Sequence, residues 1–148
     1  MQLYIKHFSQ LSRDELFEIY KLRVAVFVVE QQCPYQEIDD ADRAAYHIFL
    51  KDEAGIQAYL RLLPAGVTFD AVSLGRVIAV KRRCGLGTRI VEEGIKAAKE
   101  ILGAETIKIE AQVYARELYE KIGFVQTSGE FLEDGIPHVE MVWRPVEG

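Results

Sequence analysis

The stretch GRVIAVKRRCGLGTRIVEEGI, Gly75 to Ile95, decides how this chain folds. An apolar run ends at Val80, and Lys81, Arg82 and Arg83 follow it. Cys84, Gly85, Leu86 and Gly87 then lead into a helical pattern. A strand joined to a helix by a basic, glycine-bearing turn reads as a cradle for phosphate. The first turn of a helix leaves backbone N–H groups without partners and carries partial positive charge. Gly85 and Gly87 let an anion approach that backbone, Thr88 can add a hydroxyl, and Arg82 or Arg83 can add charge. The same residues also suit a plain tight turn with solvated arginines, so the local pattern leaves both readings open.

Working outward, residues 72–80 read as a strand. The apolar spacing of Ile90, Val91, Ile95, Ala98, Ile101 and Leu102 predicts an amphipathic helix over 87–102 with Gly103 at its C-terminal cap. TIKIEAQ (106–112) reads as the next strand. Strand, helix and strand make a crossover unit, which favours two parallel strands in the right-handed sense. Upstream, Ser12 and Glu15 form a capping-box signature ahead of a helix carrying Leu16, Ile19, Tyr20, Val24 and Phe27. AYHIFL (45–50) and IQAYLRLL (56–63) read as a hairpin around KDEAG. ARELYEKIG (115–123) reads as a short helix closed by Gly123, and two short strands near 124–127 and 138–143 finish the chain. EQQCPYQEIDDAD (30–42) reads as an irregular loop; its carboxylates Glu30, Glu37, Asp39, Asp40 and Asp42 form an acidic rim suited to a cationic ligand and lack the spacing of a calcium loop.

Composition bounds the function. A chain of 148 residues is expected to form one domain over 1–148 with a real core, and 49% apolar residues exclude a disordered chain. The formal net charge of −5 argues against nucleic acid as the main partner, since a phosphate backbone needs a broad basic surface. No apolar run reaches the length of a membrane span and no targeting segment is visible. Cys33 and Cys84 read as reduced thiols acting as small hydrophobes, and the expectation is a cytoplasmic protein without membrane partners. The oligomeric state stays open, with a homodimer compatible.

Known phosphate loops can be compared by pattern. A Walker loop is absent, and Ile90 stands where a dinucleotide loop needs its third glycine. What remains is Arg82-x-x-Gly85-x-Gly87, which resembles the acyl-CoA pyrophosphate loop of the GNAT acetyltransferases. LYEKIGF (118–124) resembles the ending of that family, where a tyrosine precedes Gly-Phe at the close of a short helix. FVVEQQCPYQEID and EDGIPHVEM are similar to the ElaA-like subgroup, so the resemblance covers nearly the whole chain.

The resemblance implies an α/β GNAT fold, a mixed central sheet with splayed parallel strands flanked by helices. It implies acetyl-CoA as co-substrate, no metal, and direct attack by a small-molecule or peptide amine. In that scheme the backbone near Ile78, Ala79 and Val80 pairs with the pantetheine arm. The loop of Arg82, Arg83, Cys84, Gly85, Leu86, Gly87 and Thr88 holds the pyrophosphate. Tyr119 matches the tyrosine that gives a proton to the departing sulfur. Gln112 stands where many members carry Asn and is expected to contact CoA. Many members also place a glutamate base on the strand at 72–80, where this chain has Arg76, which cannot act as a base. Arg76 is therefore expected to orient a carboxylate or substrate group. Glu110, Glu30, His47 and His138 are the other candidates for the base, with Glu30, Arg76 and His138 favoured as substrate-site residues. A module that binds CoA without turnover, on the same fold, is the alternative.

Overall fold

IQAYLRLL is apolar at nearly every position because helices cover both faces of the strand it forms. The computed structural model describes residues 1–145. Strand β2 (Tyr46–Asp52) and strand β3 (Gly55–Leu63) form the expected hairpin. Ile48, Leu50, Ala58, Leu60 and Leu62 belong to one core. Phe49 and Tyr59, on the alternate positions, belong to a second core with Ile19 and Ile78. Helix α1 (Arg13–Val24) starts as predicted: Ser12 Oγ accepts from the Glu15 N–H at 3.0 Å, and the Ser12 N–H donates to Glu15 Oε1 at 2.8 Å. The helix continues as a π-helical turn over Ala25–Glu30.

Helix α2 (Leu86–Leu102) covers the opposite face. Gly94 allows that close approach, since a Cβ there would lie 2.8 Å from a Leu60 methyl. Strand β4 (Val72–Ala79) precedes α2 and strand β5 (Ile107–Gln112) follows it. Strand β6 (Val125–Gln126) and strand β8 (Ile136–Trp143) follow the short helix α3 (Arg116–Ile122).

Beyond short 3₁₀ turns such as Phe8–Gln10, three elements escape the sequence reading. Strand β1 (Gln2–His7) pairs antiparallel with β2 at the sheet edge, where half-exposed mixed residues carry no clear alternation. Strand β7 (Phe131–Glu133) is three residues long and pairs with β8. Within the segment expected to be a loop, Asp40–Ala44 forms a 3₁₀ helix.

All eight strands join one mixed sheet in the order β1-β2-β3-β4-β5-β8-β6, with β7 also on β8. Strands β4 and β5 are parallel and pair only at Val72–Ile107 and Ser73–Lys108. Beyond those two positions they part, which is the expected splay. Between β3 and β4 the register shifts between Tyr59 and Arg61, so β4 carries an extra residue opposite Leu60. Arg76 lies in this bulge at φ +53°, a rare conformation for a residue with a side chain.

Candidate active site

The turn before α2 brings its backbone to the open end of the β4–β5 splay. Arg83 and Gly85 adopt positive φ, +60° and +75°, which bends the chain into the helix. No side chain caps the start of α2. The N–H groups of Leu86, Gly87 and Thr88 therefore face outward as donors. Leu86 itself is buried in the core, so its side chain plays no part there. Lys81, Arg82, Arg83 and Cys84 are exposed, and Cys84 Sγ lies 3.5 Å from the Arg82 carbonyl. Gly87 fits closely: a Cβ there would stand 3.7 Å from Leu118 and 3.9 Å from Ala79. Amides and two guanidinium groups without partners among the described residues, at a helix N-terminus, form a donor set that suits a pyrophosphate.

Backbone direction separates the three residues at the end of β4. The Val80 N–H donates to the Gln57 carbonyl at 2.9 Å, which turns Val80 toward β3. Ala58 pairs opposite Ala79, and Tyr59 opposite Ile78. By antiparallel alternation Ile78 also bonds toward β3, while the N–H and C=O of Ala79 face the gap. The Ile78 side chain packs into the core beneath α1.

Tyr119 stands on α3, on the α2 side of the sheet, 93% buried and packed edge-on against Phe124 with ring centroids 5.6 Å apart. Gly123, at φ +123°, closes α3, and the N–H groups of Gly123 and Phe124 both donate to the Tyr119 carbonyl. Among the described residues the phenol makes no hydrogen bond. Burial, and then the neighbouring Tyr114, push its pKa above the ordinary phenol value. The group is thus a proton donor at neutral pH.

The other face of the opening is polar. Ile107, Ile109 and Ala111 are buried beneath α2 and α3, and Lys108, Glu110 and Gln112 alternate with them. Gln112 pairs opposite His138 on β8, and its Nε2 donates to Gln31 Oε1 at 3.4 Å, joining β5 to the end of the π-helical turn. Cys33 is buried, and its thiol donates to the Asp134 carbonyl at 3.4 Å, tying the 31–35 segment to the β7–β8 turn. His138 is 9% exposed, its Nδ1–H donates to the Ile136 carbonyl at 2.7 Å, and its ring stacks on Phe131. Glu110 has Glu133 as a carboxyl neighbour. Burial first, then Glu133, raise its pKa to about 7.

The 37–42 carboxylates do not form a free acidic rim. Arg23, fully buried, donates to Glu37 Oε1 at 2.7 Å and to both oxygens of Asp42 at 2.6 and 3.0 Å. Arg61 donates to Asp39 at 2.7 Å and to Asp42 at 3.2 Å. Arg76 donates to Glu37 Oε1 at 3.0 Å and to its carbonyl at 2.9 Å, and lies 5.6 Å from the Tyr35 ring centre. Three arginines thus cancel three of the four carboxylates and pin the segment to α1, β3 and β4, while Asp40 stays exposed with no ion-pair partner among the described residues. The signal was in the sequence: Arg23 and Arg61 sit inside apolar patterns, and a charge there needs a partner. Glu30, by contrast, is exposed and makes no hydrogen bond among the described residues. His47 is sealed between the Tyr59 hydroxyl at 2.7 Å and the Asp42 carbonyl at 3.1 Å, a structural role. Glu133 had no sequence signal of its own; only the β7–β8 pairing sets it beside Glu110.

The comparisons with known proteins agree with this geometry. Residues 10–145 match the family model described as an acetyltransferase (GNAT) domain. A UPF0039 protein of Schizosaccharomyces pombe is 39% identical over 145 residues, 95% of each chain. Protein ElaA of Escherichia coli is 33% identical over 145 residues, again 95% of each. The crystal structure of E. coli ElaA superimposes with a TM-score of 0.90 at 30% identity, covering 97% of this chain and all of that one. An acyl-CoA N-acyltransferase from Pseudomonas aeruginosa gives 0.88 at 35% identity, covering 97% of this chain and 99% of that one. With its splayed parallel strands, its open helix N-terminus and these relatives, the chain belongs to the GNAT acetyltransferase family, in the ElaA-like group.

Proposed function

We propose that this protein transfers the acetyl group of acetyl-CoA to a primary amine. The observation that carries the reading is the two-position β4–β5 pairing, which opens beside an uncapped helix N-terminus. In this reading the amides of Leu86, Gly87 and Thr88, with Arg82 and Arg83, hold the pyrophosphate. Ala79 offers backbone N–H and C=O groups to the pantetheine arm. Tyr119 supplies a proton to the departing thiolate from the α2 side. The acceptor enters from the opposite face, where Glu110, Gln112 and His138 line the opening. Arg76 does not meet the acceptor directly but holds Glu37 and, through it, the 31–39 segment that walls this face.

The test is thiol release from acetyl-CoA in the presence of a panel of small-molecule and peptide amines. Release that depends on both substrates, together with the acetylated amine by mass spectrometry, is the expected result. A rise in melting temperature with acetyl-CoA but no thiol release with any amine would overturn transfer and leave a CoA-binding module.

A further inference from the structure

Resting on that reading, we propose that Glu110 is the base that takes the proton from the acceptor's ammonium, and that Glu133 is the positioning residue that shares and relays it. Placement argues first. Glu110 lies on β5 two residues past Lys108, where pairing with β4 has ended, so it borders the opening itself. Its side chain is on the face opposite Ile109 and Ala111, which pack with Tyr119 in the core beneath α2 and α3. Base and acid thus stand on opposite faces of one gap, as direct transfer between two ligands entering from opposite sides requires.

The other candidates are occupied elsewhere. Glu37 is held by Arg23 and Arg76, His47 is sealed in the core, and Glu30 is exposed at the end of the π-helical turn. Glu140, directly across from Glu110 on β8, is engaged by Lys108 at 3.0 Å and by the Thr127 hydroxyl at 2.9 Å. A second observation lies on the same face of the sheet. His138 is nine-tenths buried, yet among the described residues its Nε2 makes no hydrogen bond, and it lies 3.8 Å from Glu133 Oε2. With Nδ1–H committed to the Ile136 carbonyl, Nε2 is the ring atom that faces Glu133.

The charged groups around Glu110 are Lys108 on its own strand, Glu133 at the end of β7, and His138 and Glu140 on β8. Arg76, on β4 across the gap, is committed to Glu37. Burial raises the Glu110 pKa, Glu133 and Glu140 raise it further, and Lys108 opposes them; the result, about 7, matches a base working near neutral pH. The step balances as follows. The acceptor's N–H⁺ bond breaks and its proton passes to the Glu110 carboxylate. The freed amine forms the C–N bond while the C–S bond breaks; Tyr119 gives its proton to the thiolate, and the second proton leaving the nitrogen restores the phenol. Glu133, with 49% of its side chain exposed, returns the Glu110 proton to water.

The experiment measures kcat/KM against pH for wild type, Glu110→Gln and Glu133→Gln, with two amines of different basicity. A limb caused by the amine's own titration moves with the amine; the Glu110 limb does not. Wild type is expected to show a fixed acid limb near pH 7. Glu110→Gln should lose that limb and about a hundredfold or more in rate. Glu133→Gln should move the limb to lower pH. A carboxyl-carbon NMR titration, which needs no turnover, should find Glu110 titrating near 7 in wild type and lower in Glu133→Gln. An active wild type whose rate survives Glu110→Gln within about twofold, with the melting temperature unchanged, overturns the base role alone. Glu110 titrating as an ordinary carboxylate overturns the pair. A wild type that releases no thiol overturns the transfer reading, and the base role with it.

Discussion

The role proposed for Tyr119 depends on its burial. Its ring is fixed against Phe124 while its hydroxyl has no partner among the described residues. Tyr119→Phe keeps the ring and its packing, so the melting temperature and the KM for acetyl-CoA should change little. Steady-state kinetics should show kcat reduced by about a hundredfold, provided chemistry limits the rate. A variant within about twofold of wild type would reduce Tyr119 to a packing residue. His47 gives a second prediction at this scale. Burial depresses its pKa below the ordinary 6.5. Above pH 6.5 the ring is neutral in folded and unfolded chains alike and adds no pH dependence. Below that, the unfolded chain binds a proton the buried ring refuses, so this contribution to stability falls on acidification. Asp42, which its arginine partners hold below 3.8 against the cost of burial, adds a loss only at lower pH still. Glu110 works in the other direction, because its raised pKa favours the folded form as pH falls from about 7 toward 4.5. Comparing wild type with His47→Gln cancels the Glu110 slope. Urea titrations should show the wild type's advantage shrinking from pH 7 to pH 5. A constant difference would mean that His47 is not held neutral.

Helix α2 is the element on which the proposed cofactor binding rests, and its first turn can be tested without disturbing the rest. Gly85 is a poor choice for substitution, since any side chain at φ +75° strains the backbone. Gly87 has no such constraint, and a Cβ there meets only ordinary contacts. Gly87→Glu therefore leaves the fold in place while setting a carboxylate among the amides of the turn. Acetyl-CoA should raise the melting temperature of wild type by mass action and leave that of Gly87→Glu unchanged. An undiminished shift in the variant would remove the loop from the binding site. Most of this element was legible: its amphipathic spacing and Gly103 located it to within a residue. The bulge in β4 was not, because nothing in the sequence announces an arginine at positive φ. Arg76 is held there by Glu37, which lies 39 positions away. Separations of 14 to 22 positions hid which carboxylates pair with Arg23 and Arg61, and so turned most of an expected ligand rim into a structural clamp.

The molecule as a whole is two antiparallel half-sheets joined at two parallel positions, with α2 bridging them. That seam is where a ligand can complete the sheet. Hydrogen exchange should read it directly. The Val80 amide, bonded to Gln57, should be slow with or without ligand. The Ala79 amide should exchange fast in the free protein and slow on saturation with acetyl-CoA; no change at Ala79 would exclude backbone pairing there. The sequence by itself determined the order of the main elements, the basic glycine-bearing turn before α2, the tyrosine within α3 and the family. Those features are written in local spacing: helical period, capping residues, and glycines at fixed offsets. Only the tertiary structure decided which carboxylates are free and which are cancelled, that β1 and β7 complete the sheet edges, and that Glu110 and Glu133 meet at the opening. The physical reason is that charge and hydrogen-bond partners are settled across strands and between distant segments. A carboxylate buried against an arginine and one left beside another carboxylate look alike until the chain is folded.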